Sequence, residues 1–422
     1  MAPVRNPLAA ACRPCGRLTP SASEIQSLLN SRSQHRPLKI CSGGTSSRCA
    51  ADDHWTLDLN PRLRQIVIDQ HANRVRFGSG LTMGELQGEL AQRGCMVTTG
   101  LSGLPGAGFV LTGGMGPLSR SLGLAIDHVV ALSGVWGNGQ PFALQRAEQN
   151  ETSLPTTAEQ WRGLLGAAPF LGLVQEIELQ TMPLQPLLVV HGCVGPNQLA
   201  DLIPAAEQFP RGLTLQWCWG DAVDVMLVAR SDDPAAMETL SSLEMELPLS
   251  GHRRATAAGL HQLPPFGSLA FPASHDAVVH QEVIGLLGPA WGQATPALIQ
   301  SLRSAMAHRP HPRCSLACQQ LGGAVAEQSS QATAFRHRDS EWKPWVTASW
   351  APGDQKARQA ALDWLEDVWA ELSPACPGIH LAQLHDHLPW HGRELEGAFG
   401  PWLTPLRQLK QQLDPEGLLP PL

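Results

Sequence analysis

The chain has 422 residues, 43% of them hydrophobic and 16% charged, with a formal net charge of -7. That is enough apolar material for two or three domains, and the acidic balance and absence of a basic stripe exclude a nucleic-acid surface. No apolar stretch is long enough to cross a bilayer, and the ten scattered cysteines outline no disulfide framework.

The N-terminus carries basic residues but no continuous apolar run, so it reads as a flexible leader over 1–20 without a signal peptide. Together with the scattered cysteines this predicts a cytoplasmic protein. Cys12-Arg-Pro-Cys15 is the one tight cysteine pair, and it reads as a coincidence within that leader.

Ser21-Ala-Ser-Glu24 has capping-box spacing ahead of Ile25, Leu28 and Leu29, which predicts a short helix. Residues 37–41 read as a strand running into Ser42-Gly-Gly-Thr-Ser46. Backbone N–H groups and hydroxyls at the end of a rigid strand suit phosphate oxygens. Strands follow at 55–59, 66–68 and 75–77, the last two forming a hairpin across 69–73. Thr82 then caps a helix with Leu86 and Leu90 on one face, ending near Gly94.

The stretch 100–124 is the densest in glycine, with Gly100, Gly103, Gly106, Gly108, Gly113, Gly114 and Gly116. Bare backbone can take positive φ and approach a ligand closely, and successive N–H groups form an anion-binding concavity. Phe109, Val110 and Leu111 anchor the loop to something packed. Strands at 129–136 and 141–144 flank Gly137-Asn-Gly139, a hairpin signal. Another strand spans 171–179. From Leu187 the pattern changes to strands at 187–190, 213–217 and 223–228 with helical stretches between them, hence a separate α+β unit. Ala361, Leu362, Trp364, Leu365, Val368, Trp369 and Leu372 have helical periodicity. The tail from Leu406 is a helix stopped by Asp414-Pro415.

Taken together, these motifs resemble the FAD-binding PCMH-type (vanillyl-alcohol oxidase / p-cresol methylhydroxylase) superfamily, and within it the berberine-bridge-enzyme-like oxidases. Ser42-Gly-Gly-Thr-Ser46 is similar to the first family loop. Gly113-Gly-Met-Gly116 followed by Leu118-Ser-Arg-Ser-Leu-Gly-Leu124 and Ala125-Ile-Asp127 is similar to the second. Leu321-Gly-Gly-Ala-Val-Ala326 and Ala332-Thr-Ala-Phe-Arg-His-Arg-Asp339 resemble the family's substrate domain.

The resemblance implies an α+β fold. A two-subdomain FAD-binding domain (21–185) is joined to an antiparallel-sheet α+β substrate, or cap, domain (186–380). A C-terminal segment (381–422) returns to the FAD domain. The implied cofactor is FAD, lined by Ser42, Gly43, Gly44, Thr45, Ser46, Gly106, Gly108, Thr112, Gly113, Gly114, Gly116, Gly123, Leu124, Gly172 and Val174. Thr45 stands where many relatives link FAD through a histidine, and Leu101 and Ser102 stand near the position of a second, cysteine link; dissociable FAD is expected. Gly166-Ala-Ala-Pro-Phe-Leu-Gly172 replaces a more glycine-rich family segment.

The implied activity is transfer of a hydride from a small-molecule substrate at the flavin/cap interface to FAD, with oxygen or another acceptor reoxidising it. His337, His385 and His387 are the candidate acid/base residues, since a histidine near neutral pH can replace the phenols of a chain without tyrosine. His337 and Arg338 also read as a structural tie between cap and flavin domain. No metal is expected, because His385, Asp386, His387 and His391 match no standard ligand spacing and read as a solvated loop. Two other functions stay open: a degenerate flavin-fold protein binding a ligand or partner without turnover, and an FAD-linked 2-hydroxy-acid dehydrogenase.

Overall fold

The computed structural model describes residues 14–30, 37–147, 155–271 and 278–422. Cys12 and most of the expected leader lie outside them. Within that leader, β1 (Gly16–Leu18) runs parallel to β3 (Trp55–Asp58), which pairs in parallel with β2 (Leu38–Cys41). Helix α1 (Ala22–Asn30) covers this small sheet with Ile25 and Leu29, and starts as expected, with the Ser21 N–H donating to Glu24 at 2.7 Å.

The second flavin-side layer is a five-stranded antiparallel sheet in the order β4-β5-β9-β7-β8. Its strands are β4 (Ile66–Asp69), β5 (Arg74–Gly78), β7 (Val129–Trp136), β8 (Pro141–Gln145) and β9 (Gly172–Gln180). Between them the chain forms α2 (Met83–Ala91), the short β6 (Cys95–Met96), α3 (Ser119–Leu122) and α4 (Pro155–Leu171). The capping box of α2 is complete: the Glu85 N–H donates to Thr82 Oγ1, and the Thr82 N–H donates to the Glu85 carboxylate. In the segment that replaces the family's glycine-rich stretch, α4 continues to Leu171 through a kink at Leu165–Ala167. Gly166, at φ 135°, makes that kink while close to Ala334 and Phe335. The two-residue β10 (Met182–Pro183) pairs with β6.

The rest of the chain builds an eight-stranded antiparallel sheet in the order β14-β11-β13-β12-β16-β17-β15-β18. Its strands are β11 (Leu187–Val194), β12 (Leu213–Trp219), β13 (Val223–Arg230), β14 (Ser250–Ala257), β15 (His280–Leu287), β16 (Ser315–Gln320), β17 (Trp342–Trp350) and β18 (Gly378–Ile379). Helices α5 (Pro196–Ala206), α6 (Pro234–Glu246), α7 (Thr295–Ala307) and α8 (Gln355–Leu372) pack with it. All seven residues of the periodicity in α8 are buried. Helices α9 (His391–Phe399) and α10 (Leu403–Leu413) close the chain, α10 lying against α4 and so returning to the flavin side. No helix among the described residues is long and apolar enough to cross a membrane.

Candidate active site

The two glycine loops meet behind one wall of a cavity. Ser42 Oγ donates to Ser79 O at 2.5 Å and accepts from the Ala107 N–H at 3.1 Å, stitching the first loop to the second. A Cβ on Gly43 would overlap Gly106 N and stand 2.6 Å from Leu104 O, so this approach requires bare backbone. The resulting cavity has a volume of about 830 Å³ and is lined by both loops, by Gly172 and Val174 of β9, and by the face of β15, β16 and β17. That volume lies within the range of about 300–1,000 Å³ typical of cofactor and ligand sites.

The walls fit the FAD that the sequence resemblance implies. Polar atoms at the cavity are left without a protein partner: Ser79 Oγ, Arg48 Nε and Nη2, and His380 Nε2. Buried polar atoms in a folded protein are nearly always satisfied, so these await a ligand rich in phosphate and carbonyl oxygens. Arg48 sits on the first loop and stacks its guanidinium over Phe170, 5.1 Å from the ring centroid.

Of the expected cofactor residues, Ser42, Gly43, Gly44, Thr45, Ser46, Gly106, Gly108, Thr112, Gly172 and Val174 line the cavity. Gly113, Gly114, Gly116, Gly123 and Leu124 do not: they pack the second loop from behind. A Cβ on Gly114 would overlap Ala125, one on Gly116 would overlap Thr99 O, and Leu124 is a fully buried core residue. Gly113, Gly114 and Gly123 all take positive φ. Their spacing serves the loop's path.

The candidate histidines separate. His337 is away from the cavity. Its Nε2 is 2.7 Å from Gly397 O, which joins the β16–β17 connection to α9, and burial pushes its pKa down. His385 lines the cavity, with Nδ1 at 2.6 Å from Glu394 and Nε2 at 3.4 Å from Glu282. His387 stands just outside, 2.8 Å from Glu282.

The expected solvated loop is instead a buried charge network. Asp386 pairs with Lys39 of β2, and Glu282 of β15 accepts from Ser47 Oγ at 2.9 Å. Burial opposes the charge on Glu282, but the His387 hydrogen bond and the charges of His385 and His387 outweigh it and hold the carboxyl below its usual range. Glu394 is driven down to about 2 against burial by its bonds to His385 and His391. For His387, burial disfavours the cation, yet Asp386 and Glu282 push its pKa up to about 9. Asp386 and Glu394 come from the C-terminal segment, so their burial is a tertiary event that the polar string 380–387 conceals. Among the described residues, no group of three or more His, Cys, Asp or Glu is placed to hold a metal ion.

Sequence reading missed Lys343, Gln319 and Glu282, all on the cavity face of the large sheet. The available signal was a charged residue inside an otherwise apolar strand, as in Trp342-Lys-Pro-Trp345. Burial pushes the Lys343 amine down to about 8, with only Cys318 opposing. Burial and the nearby Lys343 charge hold His380 well below the usual histidine range.

Residues 19–144 match the model of a family described as an FAD binding domain. The chain is 23% identical over 395 residues to an FAD-linked oxidoreductase of Dictyostelium discoideum, covering 89% of this chain and 80% of that protein. Over 145 residues it is 31% identical to (R)-6-hydroxynicotine oxidase of Paenarthrobacter nicotinovorans, 34% of this chain and 30% of the relative. Chitooligosaccharide oxidase has a similar solved fold, with a TM-score of 0.80 at 19% identity over 97% of this chain and 91% of that one. Berberine bridge enzyme from Eschscholzia californica gives 0.76 at 20% identity over 96% and 90%. With the two-loop cavity, the matched segment and these likenesses, the chain carries an FAD binding domain over residues 19–144, shares the fold of the berberine-bridge-like oxidases, and is similar along most of its length to FAD-linked oxidoreductases, with FAD as the cofactor.

Proposed function

We propose that the protein takes a hydride from a C–H bond of a small organic substrate held between the glycine loops and the β15–β17–β16 face. The observation that carries this reading is the single cavity lined jointly by both loops and by that sheet. Bound FAD supplies the two-electron acceptor, and the protein supplies position, polarity and exclusion of water. Ser42–Ser46, Gly106, Gly108 and Thr112 hold the dinucleotide through backbone and hydroxyl groups, with Arg48 facing its negative charge. Gly113, Gly114, Gly116, Gly123 and Leu124 support that loop. The proposed division is a leader (1–20), a flavin domain (21–185), a cap (186–380) and a returning segment (381–422); the separate small and large sheets support it, with β1 of the leader joining the first flavin-side sheet.

His385 is the proposed proton acceptor of the three candidate histidines, because it lines the cavity. Glu394 at Nδ1 fixes its ring, and Glu282 stabilises the imidazolium formed when it takes the substrate's proton. His387 tunes Glu282, and His337 is structural.

The flavin is held without a covalent bond. Thr45, Leu101 and Ser102 offer no imidazole or thiol. Of the thiols and imidazoles that do line the cavity, Cys49 is tied up with Cys41 and His385 with Glu394, and His380 is a buried imidazole held by Gln383 at Nδ1 with its Nε2 unpartnered. The proposed location is the cytoplasm, and oxygen or another acceptor returns the flavin to its oxidised state. The test is an absorbance spectrum of purified protein before and after acid precipitation. Yellow protein whose colour enters the supernatant supports the reading. Colour retained in the pellet overturns dissociable FAD, and colourless protein that takes up no added FAD overturns the flavoenzyme.

A further inference from the structure

We propose that the sheet wall of this cavity is a carboxylate seat, so that the substrate class is a largely apolar organic acid; this rests on the flavoenzyme reading above. Lys343 carries the argument. It is only 7% exposed, yet it lines the cavity, and its Nζ lies 4.3 Å from the centroid of the Trp345 ring. Among the described residues no carboxylate comes within ion-pair distance of it. Glu282, the acid lining the same cavity, is already engaged by Ser47, His385 and His387. A buried ammonium without a counterion costs several kcal/mol, and an anion delivered by a ligand removes that cost.

The neighbours define the anion's shape. Gln319 is the register partner of Lys343 across β16 and β17, is itself buried, and lines the same wall. Register partners on one sheet face stand about 5 Å apart, which lets an ammonium and an amide N–H address the two oxygens of one carboxylate. His380, whose buried Nε2 has no partner, lines the same cavity. Around these polar groups the wall is aromatic and apolar: Trp345 and Phe266 stand 5.8 Å apart between ring centroids with their planes tilted by 50°, and Leu263, Pro264 and Pro265 continue the surface. A neutral polar substrate would leave the ammonium unpaired, and a cationic one would be repelled.

The test is calorimetric titration of the purified protein with benzoate and with benzamide, a neutral amide of similar shape, with and without added FAD. Benzoate is expected to bind at least tenfold more tightly. Lys343→Met should abolish the preference and Lys343→Arg should retain it. Gln319→Leu, which leaves the ammonium in place, should weaken benzoate severalfold, and it serves if the Lys343→Met protein does not fold. Equal binding of the two probes by the unaltered protein, or binding of neither, overturns the proposal. So does a benzoate preference that survives Lys343→Met. The absorbance spectrum of the same sample separates the two readings. Colourless protein that prefers benzoate keeps the carboxylate seat and loses the flavoenzyme; yellow protein without the preference does the reverse.

Discussion

Arg338 Nη1 lies 2.8 Å from Asp127 Oδ1, and both side chains are almost wholly buried. Asp127 follows the second glycine loop and also accepts the Leu124 N–H at 2.9 Å, while Arg338 stands between β16 and β17 and donates to Phe335 O and Thr333 Oγ1. This pair holds the loop against the large sheet, beside a second tie in which Arg120 meets Glu341 and the carbonyls of Leu321 and Phe209. Removing one partner strands the other charge in the interior. Arg338→Met is therefore expected to lower stability by about 3–5 kcal/mol, read as the shift in the urea unfolding midpoint.

The loop crossing at Gly43 separates backbone demands from ligand demands. Gly43→Ala puts a Cβ into Gly106 N and should abolish FAD uptake, measured by flavin absorbance after gel filtration. Gly108→Ala meets no protein atom within 4 Å, so its unfolding midpoint should stay unchanged, and any loss of FAD binding reports the cofactor's own path. Gly88→Ala on α2 is the control: it meets nothing within 4 Å and should gain about 0.5–1 kcal/mol with FAD uptake intact.

His387 makes stability fall at alkaline pH. Its folded-state pKa is raised, to about 9, above the usual value of 6.5. The stabilisation is therefore fully present below 6.5 and is lost as pH rises through about 9. His387→Gln should flatten the decline in urea midpoint between those two values. A slope unchanged by the substitution would assign it to other groups.

Benzoate affinity should follow the protonated form of Lys343. The titratable groups facing this site are Cys318 on β16, Glu282 on β15 of the same sheet, His380 ahead of Leu381–Gln383, and His385, Arg48 and Cys49 from the other walls. Burial places the amine near 8, so affinity should fall about tenfold per pH unit above that point. In Lys343→Arg protein the fall should disappear, because a guanidinium stays charged across this range. Titration calorimetry at stepped pH reads both.

Local patterns determined a good deal about this protein. The Ser21 and Thr82 caps, the hairpin at Gly137-Asn-Gly139, the α8 periodicity and the stop at Asp414-Pro415 each depend on residues close in the chain, and each appears where the pattern puts it. The first loop, Ser42–Ser46, was legible for the same reason: its glycines and hydroxyls follow a strand directly. Folding in three dimensions decided what those loops face. Lys343 and Gln319 are 24 residues apart and meet only through strand register. Asp386 and Glu394 lie in a polar segment that resembles a solvated loop until the chain's return buries it against Lys39 and Glu282. The second loop shows the division most directly, since one glycine spacing contains both residues that line the cavity and residues that shape the loop behind it. Backbone freedom is written in the residue type, whereas burial and the availability of a partner depend on what the rest of the chain brings to each place.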